Sequence, residues 1–349
     1  MTRYRGEGAL VTGANGFIGS WLARRLVEEG ARVVVPERSK PFPLDGLAGR
    51  CDLIQLDLRD PGAIRHVILE KACTRVFHLA ATTLASDVME HPYEGFETNV
   101  RCTYNVLEAC RLARAEGLDT RTIIASTYHV YGRQFHVPIR EDARLLPRNP
   151  YEASKVCADM VARSYAVTHD MPVAITRLAN VYGAGDMTLS RLIPASVRAL
   201  VGGEAPVIES DGTPERDFIH VEDAVEAYLA VERGLDRRER WGRAWNAGSD
   251  EPISIVDLVR RLIVASGRRV KPQIRGAPNP EADPDRQFLD STAIREELGW
   301  KPRKALDEGL AETYAWYESE LGRTSAQRMP GLLAAIGANF LEHLPAAVS

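Results

Sequence analysis

Tyr151 and Lys155 stand four residues apart in Tyr151-Glu152-Ala153-Ser154-Lys155, a spacing that puts a phenol and an ammonium on one face of a helix. An ammonium beside a tyrosine favours the phenolate and lowers its pKa. A phenolate can take the proton of an alcohol whose hydride leaves for a nicotinamide. Ser126 and Thr127 close the apolar run that precedes this helix. At the carboxyl end of a strand in an open α/β sheet they are placed to hydrogen-bond the same alcohol oxygen. Taken alone, Tyr-x-x-x-Lys also arises by chance on surface helices, so its meaning depends on what lies upstream.

Upstream lies Thr12-Gly13-Ala14-Asn15-Gly16-Phe17-Ile18-Gly19-Ser20. Before it, Ala9-Leu10-Val11 reads as a buried strand; after it, Trp21, Leu22, Leu26 and Val27 recur at helical spacing. Strand, glycine turn and helix form the context in which such a motif holds a dinucleotide rather than merely turning a βαβ unit. Glycines let the backbone approach a pyrophosphate, and the helix start offers N–H groups and a positive dipole end. Glu37 ends the next apolar run, Arg32-Val33-Val34-Val35, where a carboxylate that pairs with ribose hydroxyls belongs. NAD is therefore the expected cofactor. Arg38 beside it makes NADP the alternative, since an arginine there accommodates a 2′-phosphate.

These residues need a scaffold, and the chain supplies a rhythm for one. Short apolar runs at Ala9–Val11, Arg32–Val35, Cys51–Leu56, Thr74–His78, Arg121–Ser126 and Pro172–Arg177 alternate with helical patterns at Pro61–Leu69, Glu97–Ala115 and Tyr151–Thr168. Such alternation predicts an α/β fold, a Rossmann-type doubly wound parallel sheet with helices on both faces. The expected organisation is a dinucleotide-binding domain over residues 1–182, a smaller interwoven substrate lobe over 183–322, and a tail over 323–349. Within the second part, Ser190–Gly202, Val221–Glu232, Ile253–Ala265 and Ala293–Leu298 read as helices and Ala205–Asp211 as a strand. Pro278-Asn279-Pro280 and Asp283-Pro284 mark an extended loop, and Leu332–Leu344 is an amphipathic stretch in the tail.

At 349 residues, 45% hydrophobic, 26% charged and with net charge −4, the chain can bury a large core. Nothing in that balance favours nucleic acid or an anionic membrane as a partner. No apolar run approaches a membrane span, no metal-ligand spacing appears, and the five cysteines are scattered without a CxxC pair. A cytoplasmic protein with reduced thiols is expected.

In their joint order the motifs resemble those of the extended short-chain dehydrogenase/reductase family, in its branch of nucleotide-sugar epimerases and dehydratases. The resemblance runs from about residue 8 to about residue 318. Besides the glycine loop and Tyr151-x-x-x-Lys155, it rests on Asp57-Leu58, His78-Leu79-Ala80-Ala81, Thr98-Asn99-Val100, Ser126-Thr127, Val130-Tyr131-Gly132, Arg177-x-x-Asn180-Val181-Tyr182-Gly183, Arg216-Asp217-Phe218 and Leu298-Gly299-Trp300. It implies that Gly13, Asn15, Gly16, Phe17, Ile18, Gly19, Glu37 and Arg38 contact the dinucleotide. Asp57 and Leu58 would meet adenine. Leu79, Ala80, Ala81 and Asn99 would contact the cofactor, Ala80 and Ala81 on its nicotinamide side. Tyr151 would be the base, Lys155 would hold the ribose, and Ser126 with Thr127 would assist. Thr83, Asn180, Arg191, Leu192, Arg216 and Arg286 would hold a nucleotide-diphosphate sugar, with Asn180 at its phosphates and Arg216 and Arg286 gripping its pyrophosphate. A homodimer through the Glu97–Ala115 and Tyr151–Thr168 helices is also implied.

Family members share the first step, oxidation of the sugar at C4. A 4-epimerase then returns the hydride to the other face. A 4,6-dehydratase needs a further acid and base, supplied in the family by the two residues after the Ser/Thr position. Those residues here are Tyr128 and His129, neither a carboxylate. Arg191-Leu192-Ile193-Pro194 and Asp211-Gly212-Thr213-x-x-Arg216-Asp217 are similar to CDP-glucose 4,6-dehydratase-like members, whereas the local chemistry points to a 4-epimerase. Epimerisation is the expectation. Dehydration with Tyr128 and His129 as acid and base is the alternative, ahead of decarboxylation, keto-sugar reduction and a silent NAD-binding role.

Overall fold

The computed structural model describes residues 3–36, 46–47, 49–277 and 285–322. Glu37, Arg38, the 278–284 loop and the tail with Leu332–Leu344 lie outside the described residues.

Seven strands form one parallel sheet: β1 (Gly8–Thr12), β2 (Arg32–Pro36), β3 (Asp52–Ile54), β4 (Cys73–His78), β5 (Arg121–Thr127), β6 (Val173–Leu178) and β7 (Ala244–Ala247). Their spatial order is β3-β2-β1-β4-β5-β6-β7. The order reverses between β1 and β4, and ligands of open α/β sheets bind at the carboxyl ends of strands at such a switch point. Every residue of β1 and β6 is buried, as expected for strands covered on both faces. One face packs against α1 (Phe17–Glu28), through Leu22 and Leu26, and against residues 224–231. The other packs against α2 (Pro61–Glu70), α3 (Cys102–Ala115) and α4 (Pro150–Thr168), through Ile64, Ile68, Val106, Cys110 and Ala162. The doubly wound expectation holds.

Beyond β6 the chain builds a smaller cluster from α5 (Leu192–Val201), α7 (Ile255–Ala265) and α8 (Leu306–Gly322), centred on Ile193, Leu258, Leu262, Leu310 and Tyr317. Between them, α6 (Val221–Gly234) and β7 cross back to complete the first sheet and its helical layer. Several elements differ from expectation. The strand expected over Ala205–Asp211 pairs only at Val207–Ile208. The helix expected from Ile253 begins at Ile255, where Ser254 Oγ accepts from the Asp257 N–H. Strand β7, helix α8 and two short helices at Ala85–Glu90 and Pro92–Phe96 add to the elements expected. The Glu97–Ala115 helix opens with a π-helical turn over Glu97–Arg101, which contains Asn99. Among the described residues, no helix is long and apolar enough to cross a membrane, and no cluster of His, Cys, Asp and Glu could hold a metal.

Candidate active site

Asn149 caps α4, its Oδ1 accepting from the Glu152 N–H, and Pro150 occupies the first turn, where the missing proline N–H costs nothing. Tyr151 and Lys155 therefore sit in the first two turns, both buried against the end of β5. Lys155 Nζ donates to the Ala125 carbonyl at 2.6 Å. Burial pushes its pKa down to about 8, against the opposing pull of Asp159 one turn on. Burial pushes the Tyr151 phenol up to about 12, opposed by the positive charge of Arg191 and a hydrogen bond with Thr127. Here the expected electrostatics are corrected. Desolvation outweighs every charge near Tyr151, and Arg191 is the leading cation that opposes it, not Lys155. Thr127 Oγ1 also accepts from the His129 N–H. Ser126 Oγ is buried and makes no hydrogen bond within the described residues.

The glycine loop has the shape a dinucleotide requires. Gly13 has φ +75°, and a Cβ there would meet the Ala80 nitrogen at 2.7 Å. A Cβ on Gly19 would fall 2.2 Å from the Gly13 oxygen, which lets α1 start directly under the turn. Gly16 is exposed, caps α1 without a side-chain hydrogen bond, and is followed by a first turn free of acidic residues. That helix end suits an anion. Asn15 lies in the same turn, and Phe17 and Ile18 open the helix. Leu79 and Ala80 run beside the loop: the Leu79 N–H donates to the Thr12 carbonyl and the Ala80 N–H to Thr12 Oγ1. Asp57 and Leu58 follow β3, with Asp57 exposed and bound to Arg59, which holds its carboxyl down at about 2. These residues fit an NAD-type dinucleotide, whose chemistry is reversible hydride uptake.

A cleft of ≈ 310 Å³ opens beside Tyr128 and His129, lined also by Asn180, Arg191, Leu192 and Arg216. Its apolar wall includes Ile193, Phe218 and Ile255. Arg191 crosses it, donating to Thr83 Oγ1 and to Asp186 Oδ2, both at 3.1 Å. Arg216 is buried and faces Tyr128, and desolvation lowers its pKa. Arg286 is not brought to the cleft. Its strand pairs in register with Glu215, and the guanidinium binds that carboxylate at 2.5 Å and stacks on Phe288.

Tyr128 and His129 stack with ring centroids 4.2 Å apart, and His129 stands edge-on to Tyr151 at 6.1 Å. The Tyr128 phenol meets both amide atoms of Asn180, donating to Oδ1 at 3.4 Å and accepting from Nδ2 at 3.2 Å. Burial raises its pKa. Burial and the Arg216 charge push His129 down to about 4. Three supporting residues, Asp186, Ser154 and Thr12, carry no expected role from the sequence. Ser154 lies between the two motif residues and bonds the Tyr151 carbonyl and Asn99. Its place inside the motif was the available signal.

A trifunctional UDP-glucose 4,6-dehydratase/UDP-4-keto-6-deoxy-D-glucose 3,5-epimerase/UDP-4-keto-L-rhamnose-reductase of Arabidopsis thaliana is 28% identical over 327 residues, 90% of this chain. The chain spans 48% of that relative's length. A dTDP-glucose 4,6-dehydratase of Streptomyces griseus is 34% identical over 319 residues, 88% of this chain and 93% of the relative. The solved structure of a UDP-glucose 4-epimerase from Thermotoga maritima with UDP-glucose matches with a TM-score of 0.81 at 26% identity, over 90% of this chain and 99% of that one. A glycine-loop sheet, a buried Tyr-Lys helix and a cleft with two arginines thus occur together with a family model that matches residues 9–248, and the chain belongs to the NAD dependent epimerase/dehydratase family.

Proposed function

We propose that this protein is a nucleotide-sugar 4-epimerase that works through a transient 4-keto sugar, with NAD rather than NADP as its cofactor. The observation that carries the reading is the state of Tyr128 and His129. Dehydration needs a base for the C5 proton and an acid for the C6 hydroxyl. The Tyr128 phenol is engaged by Asn180, and burial raises its pKa. His129 is held near 4, and an imidazole that weakly basic is poorly matched to removing a proton from carbon. Tyr151, Thr127 and Lys155, by contrast, form a complete set for oxidation at C4.

In this reading Tyr151 takes the C4 hydroxyl proton while Thr127 holds the same oxygen. Lys155 keeps a positive charge beside the cofactor ribose and the phenolate. NAD would be held by the glycine loop and Lys155 and would supply reversible hydride uptake at C4. After the keto sugar turns its other face toward the cofactor site, Tyr151 gives the proton back to the same C4 oxygen. Arg191 and Arg216 hold the diphosphate, and Asn180 and Tyr128 form the floor under the sugar. The 34% identity to a dehydratase supports the second reading, in which neutral His129 serves as the base. Tyr104 and Met160 are exposed on α3 and α4 and support a homodimer, which light scattering showing only monomer would remove.

The deciding experiment is turnover of UDP-, dTDP-, CDP-, GDP- and ADP-sugars in deuterated water, followed by NMR and mass spectrometry. Inversion at C4 without solvent deuterium is the expected result. Loss of water with deuterium at C5 would establish the dehydratase. His129→Ala separates the two again: less than about tenfold loss in the epimerase, about 10²–10⁴-fold if His129 is the base.

A further inference from the structure

We propose that His78 is a positioning residue of the dinucleotide site. Locked as its Nε2–H tautomer, it carries one directed hydrogen-bond chain that holds the glycine turn, the 79–82 segment and the Asn99 turn in a single register.

The direction of the chain is set at its Thr103 end. At one end the Ala80 N–H can only donate, and it donates to Thr12 Oγ1 at 3.2 Å. Thr12 Oγ1 lies 2.8 Å from His78 Nδ1. Thr12 Oγ1 keeps a second lone pair, so this end admits either direction; with the tautomer set at the other end, the Thr12 proton fills the contact and Nδ1 accepts. At the other end the Asn99 carbonyl can only accept, and Thr103 Oγ1 donates to it at 2.7 Å. That consumes the only proton Thr103 has. The 3.1 Å contact between Thr103 Oγ1 and His78 Nε2 must then be made by an Nε2–H. The Thr103 end specifies the tautomer, and the Thr12 end accommodates it. The opposite tautomer would leave the Thr12 proton without this acceptor and set the bare Nε2 lone pair against a Thr103 oxygen whose proton is already used on the Asn99 carbonyl.

The ring is 3% exposed. Burial and the positive charge of Lys155 push its pKa down to about 3, so it stays neutral and the chain keeps one direction. Beyond its ends the chain reaches the chemistry. Asn99 Oδ1 accepts from the Thr82 N–H at 2.8 Å, and its Nδ2 donates to Ser154 Oγ at 2.9 Å. Ser154 in turn donates to the Tyr151 carbonyl at 2.7 Å. The backbone against which Gly13 packs is thereby tied through His78 to the helix that carries Tyr151 and Lys155.

The inference rests on the reading that the glycine loop and Tyr151 share one dinucleotide, and not on which sugar reaction follows. Long-range ¹H–¹⁵N correlation spectra of the full-length protein test it directly. His78 should show the Nε2–H pattern, unchanged from about pH 5.5 to 8.5. An Nδ1–H pattern, or a ring that titrates in that window, would overturn the proposal. His78→Leu should bind NAD about ten- to a hundredfold more weakly or turn over that much more slowly, with KM for the sugar nucleotide unchanged. His78→Gln, which keeps one donor and one acceptor, should recover most of the loss. A general folding role would move KM and melting together and would not be rescued. If His78→Leu fails to fold, Thr103→Val removes the hydroxyl at one end, both the acceptor for Nε2–H and the donor to the Asn99 carbonyl, and should weaken NAD binding in the same direction; unchanged affinity there would overturn the proposal. NAD binding by the wild type without turnover of any sugar would defeat the proposed reaction and leave this inference standing.

Discussion

Tyr151 can act only if its proton leaves at a pH where the enzyme works, and burial opposes this by raising the phenol to about 12. The groups that pull the other way are Arg191, Thr127 and, with the cofactor in place, whatever positive charge the nicotinamide brings. Tyr151→Phe removes the proton-transfer group and nothing else. Turnover should fall by about 10²–10⁴-fold or more while NAD binding, followed by protein fluorescence, stays within about threefold of the wild type. Retained turnover would end the mechanism. Lys155 gives a pH signature. Its ammonium in the folded protein titrates near 8 instead of 10.5, so turnover should decline as pH rises through about 8. Stability should move the other way. Between these two values the unfolded chain binds more protons than the folded one, so the lysine's contribution to folding becomes more favourable with rising pH. Activity lost above pH 8 without a matching drop in melting temperature would separate Lys155 from alkaline unfolding. Asp159→Asn, which removes the carboxylate opposing the shift, should move the activity limb to lower pH.

At the scale of elements, the glycine turn carries the sharpest expectation. Gly13 has positive φ and packs its backbone on Ala80, so Gly13→Ala meets both a strained conformation and a contact of 2.7 Å. The substitution should cost about 1–3 kcal/mol from the backbone alone and remove measurable NAD binding. A variant that binds NAD normally would show that the loop does not hold the pyrophosphate. This turn was legible because a buried strand, a glycine spacing and an apolar helix face each leave their own period in the sequence. So were six strands of the sheet, each a short run of strand character and most of them next to an amphipathic helix. Strand β7 was not legible: Ala244-Trp245-Asn246-Ala247 is four residues long, and its buried Asn246 bonds Tyr131 and the Ile139 carbonyl, which no apolar period records. Helix α8 was hidden by its acids, with Thr313 and Glu320 among its buried positions. In the site, Tyr128 and His129 could be named as the deciding residues from the sequence. Their engagement by Asn180 and Arg216 could not, because those partners arrive from strands 50 and more residues away.

At the scale of the whole molecule, the second half of the chain closes the first. Strand β7 completes the sheet, and α6 packs against it through Val225 and Tyr228. The segment after residue 298 is then tied to α6 by one buried carboxylate. Asp223 Oδ1 accepts from the Arg303 N–H at 2.9 Å and Oδ2 from the Lys304 N–H at 3.0 Å. The Asp223 carbonyl accepts from Trp300 Nε1 at 3.0 Å. These contacts join residues about 80 positions apart, immediately before α8 enters the cluster with α5 and α7 that walls the cleft. The two halves should therefore unfold together. Asp223→Ala leaves two backbone donors without acceptors, at about 1–3 kcal/mol each, and should lower the urea midpoint with little change in slope. Asp223→Asn keeps one acceptor and should lose about half as much. KM for the sugar nucleotide should rise in both variants, because the cleft wall formed by Ile193 and Ile255 is held through α8, while NAD binding at the glycine loop is spared. Two resolved unfolding transitions in the wild type, or a loss below about 1 kcal/mol in the alanine variant, would show that the halves are separable bodies and that the cleft is set by something other than this clamp.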